Sequence, residues 1–123
     1  VSRHLGCALG LALAVAAGAT PAADANRGAR LYEARCGGCH SVDEHRVGPA
    51  HRGVFGRRAG AAAGFEYSPA LAQSRLVWSE QTLDRWLADP EAAIPGQAMG
   101  YRVEEARDRA DLIAYLRRLS PPR

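Results

Sequence analysis

The chain has 123 residues, 16 of them basic and 13 acidic, for a net charge of +3. That length allows one domain with a modest protein-only core, and so small a net charge gives no argument for nucleic-acid binding. All the basic residues are arginine, and lysine is absent.

The first segment carries Arg3, an apolar Ala/Leu/Gly/Val run from Leu5 to Ala17, and small residues around Ala19 to Ala23. This is the three-part layout of a secretory signal peptide, with cleavage expected near Ala22 or Ala23. The run is shorter than the roughly 20 apolar residues a spanning helix needs. Residues 1–23 are therefore expected to be removed, taking Cys7 with them, and residues 24–123 to form an exported domain.

A short helix is predicted from Asp24 to Arg35, with Asp24 as its cap and Gly28, Leu31, Tyr32 and Arg35 along one side. Glycine costs a helix stability against alanine, so Gly28 points to close packing against a neighbour. The run Cys36-Gly37-Gly38-Cys39-His40 follows. A C-x-x-C-H run is read first as a covalent haem attachment site. Two thiols three residues apart project from one helical face, where each can add to a haem vinyl group while His40 reaches the iron. A structural zinc site would want four ligands at paired spacings. A thioredoxin-type dithiol would be expected near a strand-helix-strand pattern, which the chain lacks. Export fits the haem reading, because free thiols in an oxidising compartment tend to pair unless thioether chemistry consumes them.

Ser41 to Gly64 is polar and punctuated by glycine, predicting a long loop of the kind that wraps a cofactor. Ser68-Pro69 opens a short helical turn through Gln73. A firmer helix begins at Ser79, with Leu83, Trp86 and Leu87 as its apolar stripe and Pro90 as its stop. Asp89 to Val103 is predicted irregular and contains Pro95-Gly96 and the sole methionine, Met99. The last helix is predicted from about Glu104 to Leu119, with Leu112, Ile113, Tyr115, Leu116 and Leu119 at helical spacing. No strand, repeat or domain linker is evident. The expectation is an all-α domain of helices and long loops around one covalently bound haem.

Cys36 to His40, Val47-Gly48-Pro49, Gly53 to Arg57, Gly64 to Ser68, Trp78, Pro95 to Met99 and Arg109 to Leu116 resemble, in that order, the soluble class I cytochromes c of mitochondria and bacteria. The resemblance covers essentially all of residues 24–123. It implies the cytochrome c fold, one haem c joined through Cys36 and Cys39, His40 as proximal iron ligand and Met99 as distal ligand. It further implies that the Pro49 carbonyl orients His40, that Arg57, Tyr67, Ser68 and Trp78 hold the propionates, and that Gly28 and Tyr32 cross Leu112 and Tyr115. The implied function is single-electron transfer in the periplasm, without transformation of a substrate, by a monomer. Expected partners are redox proteins such as a membrane cytochrome complex, a terminal oxidase, a reaction centre or a periplasmic dehydrogenase, with the membrane met only through docking or an uncleaved N-terminal segment. The rival is a haem enzyme or gas sensor with a labile sixth ligand.

Several residues depart from the family pattern. Gln97 stands where a propionate-binding threonine is usual, Trp86 replaces a tyrosine often found near the methionine sulfur, and the loop from His40 to Gly48 is short. The docking lysines are missing, with arginines such as Arg35 and Arg102 at some of their places. His51 occupies a position that is normally leucine. It is either a partly exposed loop residue without redox role or one near enough to the iron to feel its charge.

Overall fold

A computed structural model describes residues 1–2 and 12–122. Arg3, Cys7 and part of the apolar run fall outside the described residues. Within them, no helix is long and apolar enough to cross a membrane. Five helices follow in order: α1 (Ala25–Arg35), α2 (Pro69–Gln73), α3 (Glu80–Ala88), α4 (Pro90–Ala93) and α5 (Ala106–Arg118). The described residues contain no strand beyond an isolated bridge between Arg58 and Val77.

Local chemistry accounts for the boundaries. The Asp24 carboxylate accepts from the N–H groups of Asn26 and Arg27, and Ser68 caps α2 ahead of Pro69. Ser79 and Thr82 form a reciprocal capping box on α3. Asp89 both closes α3 and caps α4, accepting from the Ala92 N–H. This corrects the expectation that the stretch after Asp89 is irregular throughout: proline stops one helix because it lacks an N–H, and for the same reason it suits the first position of the next. α5 has no side-chain cap. Arg109 ties its start instead, donating to the carbonyls of Val103 and Glu104 and to Asp84.

α1 and α5 cross at Gly28. A Cβ there would fall far inside contact with the Asp111 carbonyl, so only glycine lets the two backbones meet. One turn on, the Tyr32 ring packs against that of Tyr115 at 5.3 Å between centroids. Polar groups seal the rim of the crossing. Arg27 pairs with Asp108 and Asp111, Arg35 pairs with Asp108 at 3.0 Å, and the Asp24 N–H donates to Asp111 at 2.7 Å. α3 packs against α4 and α5, and Leu83, Trp86, Leu87, Leu112, Ile113 and Leu116 are buried there.

The long segment between α1 and α2 is fastened to the helical frame at intervals. The Phe55 N–H donates to Ser120 Oγ at 3.1 Å, that of Gly56 to the Trp78 carbonyl at 2.6 Å, and that of Ala59 to the Leu76 carbonyl at 2.8 Å. These bonds hold it as a wall rather than a free loop.

Asp111 is only 2% exposed. Burial alone would raise its carboxyl pKa, but the Asp24 N–H and the Arg27 guanidinium outweigh that and hold it below the ordinary value. A carboxyl whose pKa is lower folded than unfolded adds stability that is complete above the unfolded value, about 3.9, and is lost as pH falls through the folded one. Asp111→Asn is therefore expected to be less stable than wild type at neutral pH, with the gap narrowing below about pH 4. Denaturant midpoints of the two proteins measured from pH 7 to pH 2 check this, and a constant gap would show that Asp111 titrates alike in both states.

Candidate functional site

The helices and the long loop surround a cavity of about 450 Å³ whose lining is mainly apolar. This size and character suit an organic cofactor. Cys36, Cys39, His40, Pro49, Arg57, Tyr67, Ser68, Trp78 and Met99 all line it. Residues up to 63 positions apart in the chain thus meet at one place.

α1 delivers the first group. The carbonyl of its Tyr32 accepts the N–H groups of both Cys36 and Gly37, and the Cys36 carbonyl then accepts those of Cys39 and His40 at 3.1 and 2.9 Å. This single turn puts both thiols at the cavity edge, Cys36 half-buried and Cys39 exposed, neither in a disulfide. Burial pushes the Cys36 thiol pKa up, Arg35 opposes the rise, and Cys39 adds to it.

His40 Nδ1 lies 2.9 Å from the Pro49 carbonyl. A carbonyl only accepts, so Nδ1 carries the proton and Nε2 of the neutral ring keeps its lone pair for a metal. Burial lowers the His40 pKa, an effect the Pro49 bond partly offsets, so the neutral ligand form is favoured. Gly48 lies against the ring so closely that a Cβ would overlap it.

The other predicted residues line the same space and carry hydrogen-bond donors. Arg57 uses two N–H groups on the carbonyls of Arg52 and Ala50, and a guanidinium has five. The Tyr67 hydroxyl accepts from Ala62 N–H and Ser68 Oγ from Leu71 N–H, so each hydroxyl proton remains for an acceptor such as a carboxylate. Trp78 is buried and packs at 5.3 Å against Trp86. Gln97 does not line the cavity: its Nε2 donates to Glu91 at 3.2 Å, and its Oε1 is buried without a partner.

His51 is half-buried, lines the cavity, and stacks on His40 at 4.1 Å with 22° between the rings. Burial, with smaller effects from His40 and Arg57, takes its pKa down to about 3, so the ring is neutral near pH 7. Of the two sequence readings for His51, the stacking fits the one that keeps it close to the site. Its bond to the Tyr32 hydroxyl was not legible in the sequence. Neither was the part Leu83, Leu87, Leu112 and Leu116 play as cavity walls, since helical periodicity marks an inward face without saying what it faces.

A porphyrin fits this arrangement on chemical grounds. The walls are apolar, two unpaired thiols and an imidazole with a free lone pair share one edge, a thioether lies within the same cavity, and spare donors suit carboxylates. A bare metal ion does not fit. Among the described residues no group of three His, Cys, Asp or Glu side chains could hold one.

The family model described as Cytochrome c matches residues 25–120. Cytochrome c of Gossypium barbadense is 40% identical over 101 residues, covering 79% of this chain and 91% of the relative. That of Gibberella zeae is 39% identical over 98 residues, covering 76% and 92%. Among solved structures, cytochrome cH from Methylobacterium extorquens superposes with a TM-score of 0.74 at 38% identity, covering 77% of this chain and 98% of that one.

Replacing Gly48 by alanine should force the His40 ring away from its bond with Pro49. The expected cost is about 2 kcal/mol of stability, typical of overpacking a tight site. The His40 Nδ1 proton should also exchange faster with solvent. Proton NMR with denaturant titration checks both, and wild-type behaviour in both would mean the ring is not confined by this contact.

Proposed function

Because the chain belongs to the cytochrome c family, whose members are electron carriers with one covalently attached haem c, we propose that it shuttles single electrons between redox proteins in the periplasm. The observation that carries the reading is the convergence of Cys36, Cys39, His40 and Met99 on one apolar cavity. When bound, haem supplies a one-electron couple at its iron, and His/Met ligation favours a raised potential.

In this reading Cys36 and Cys39 hold the group by thioether bonds. His40 binds iron through Nε2 and is kept in register by the Pro49 carbonyl, while Met99 offers its sulfur as the sixth ligand. Arg57, Tyr67, Ser68 and Trp78 serve the propionates, Arg57 by charge and the two hydroxyls by their remaining protons. The apolar walls exclude water, which limits solvent reorganisation when charge changes at the metal. Residues 1–23 act as the export signal and residues 24–123 as the working domain, a reading supported by Arg3, the apolar run and the small residues before Asp24.

The partners are a membrane cytochrome complex, a terminal oxidase, a reaction centre or a periplasmic dehydrogenase, met by a monomer at the exposed cavity edge. Much of the local positive charge is answered within the chain: Arg35 pairs with Asp108, Arg52 with Asp43 and Arg102 with Asp89. Docking therefore relies on short-range fit more than on a strong field. A haem enzyme or gas sensor would need an open iron position. Met99 in the cavity weighs against that alternative.

Two measurements test the assignment. Acid and organic solvent should leave the haem on the wild-type polypeptide but extract it from the Cys36→Ala, Cys39→Ala double variant, and extraction from wild type would defeat the thioether reading. The ferric protein should also show the weak long-wavelength absorption of sulfur-ligated iron. Its persistence in Met99→Ala would remove Met99 from the metal.

A further inference from the structure

Two polar side chains meet in the cavity wall behind His40. The Tyr32 hydroxyl, on α1, lies 2.9 Å from Nδ1 of His51, on the long loop. The His51 ring in turn lies nearly parallel to that of His40, at 4.1 Å. Tyr32 is itself immobilised: its ring packs on Tyr115 of α5, its carbonyl accepts the N–H groups of Cys36 and Gly37, and it is 6% exposed.

A bond from Nδ1 to the Pro49 carbonyl fixes where one edge of His40 points, yet the ring can still tilt about that direction. A flat ring against its face removes the tilt. That works only if the second ring cannot turn, and the bond to Tyr32 stops it. A leucine at position 51 would fill the space but define no plane, and a phenylalanine at position 32 would leave the His51 ring untied.

We propose that Tyr32 and His51 act together as a positioning pair that sets the plane of the His40 imidazole, with Tyr32 acting only through His51. Orientation of a ligand imidazole by groups outside the metal's own coordination is a general way to tune a metal site. Here that role passes from the α1–α5 crossing through two aromatic contacts to His40. The inference rests on the reading of His40 as an iron ligand.

The test uses the ferric haem-loaded protein with isotope-labelled histidine. It follows the hyperfine-shifted ring protons of His40 and the exchange of its Nδ1 proton into D₂O. Tyr32→Phe deletes one oxygen that makes no bond to His40. It should move the shifted signals and speed Nδ1 exchange roughly fivefold, the scale of one buried hydrogen bond. His51→Leu should do so more strongly, and adding Tyr32→Phe to it should change nothing further.

Unmoved His40 signals in Tyr32→Phe, or an equal movement whether or not His51 is present, would overturn the proposal. So would a matching acceleration of the α1 and α5 backbone amides, because that would mark general loosening instead of positioning. A wild-type ferric spectrum without any hyperfine-shifted histidine ring would defeat the ligand reading of His40 itself. That outcome is distinct from the others, since no signal would exist to move.

Discussion

The candidate cofactor site depends on the contact between the Gly28 backbone of α1 and the Asp111 carbonyl of α5. A helix pair held apart by even one Cβ would carry the end of α1 outward, and with it the turn from Cys36 to His40. Because Tyr32 lies one turn past Gly28, the same approach seats its ring on Tyr115 and its hydroxyl beside His51. The rim of arginine and aspartate then fixes the register. Asp111 takes both a backbone N–H from the cap of α1 and a guanidinium from its first turn, so the crossing is specified by polar geometry as well as by fit.

The crossing does not make a closed core. Leu83, Leu87, Leu112 and Leu116 are buried in the polypeptide yet line a cavity, so the apolar faces of α3 and α5 are completed by something other than protein. For a domain of this size a cofactor that fills such a space becomes a large part of the hydrophobic interior. Binding and folding are coupled as a result: a group that occupies the native cavity and not the unfolded chain stabilises the fold by mass action or, once bonded, by linkage to the chain. The fastened wall from Ser41 to Gly64 follows the same logic, with backbone bonds supplying the order that its few apolar residues cannot.

Two of the departures expected from the family pattern have a physical reading in the structure. On the surface, Arg52 and Arg102 pair with the carboxylates of Asp43 and Asp89, which leaves less free positive charge there. Beside His40, Tyr32 and His51 bond to each other in the wall, His51 standing where the resemblance led to the expectation of leucine. A polar side chain at position 51 is tolerable in this wall because the Tyr32 hydroxyl gives its ring a partner.

By itself the sequence determined most of the elements and named residues that the fold gathers at one cavity. Periodicity and caps located α1, α2, α3 and α5 to within a residue or two, because Asp24, Ser68 and Ser79 act on N–H groups only two or three residues away. Cys36, Cys39 and His40 were legible because their relation is one helical turn. α4 was missed, since Pro90 reads equally as an end and a beginning. Only the tertiary structure could decide what depends on residues far apart: that the atom Gly28 meets at the expected crossing is the Asp111 carbonyl, that His51 lies on His40 and bonds to Tyr32, and that Gln97 bonds to Glu91 away from the cavity. Local chemistry acts over one turn of chain, whereas these contacts join segments whose approach is set by the packing of the whole domain.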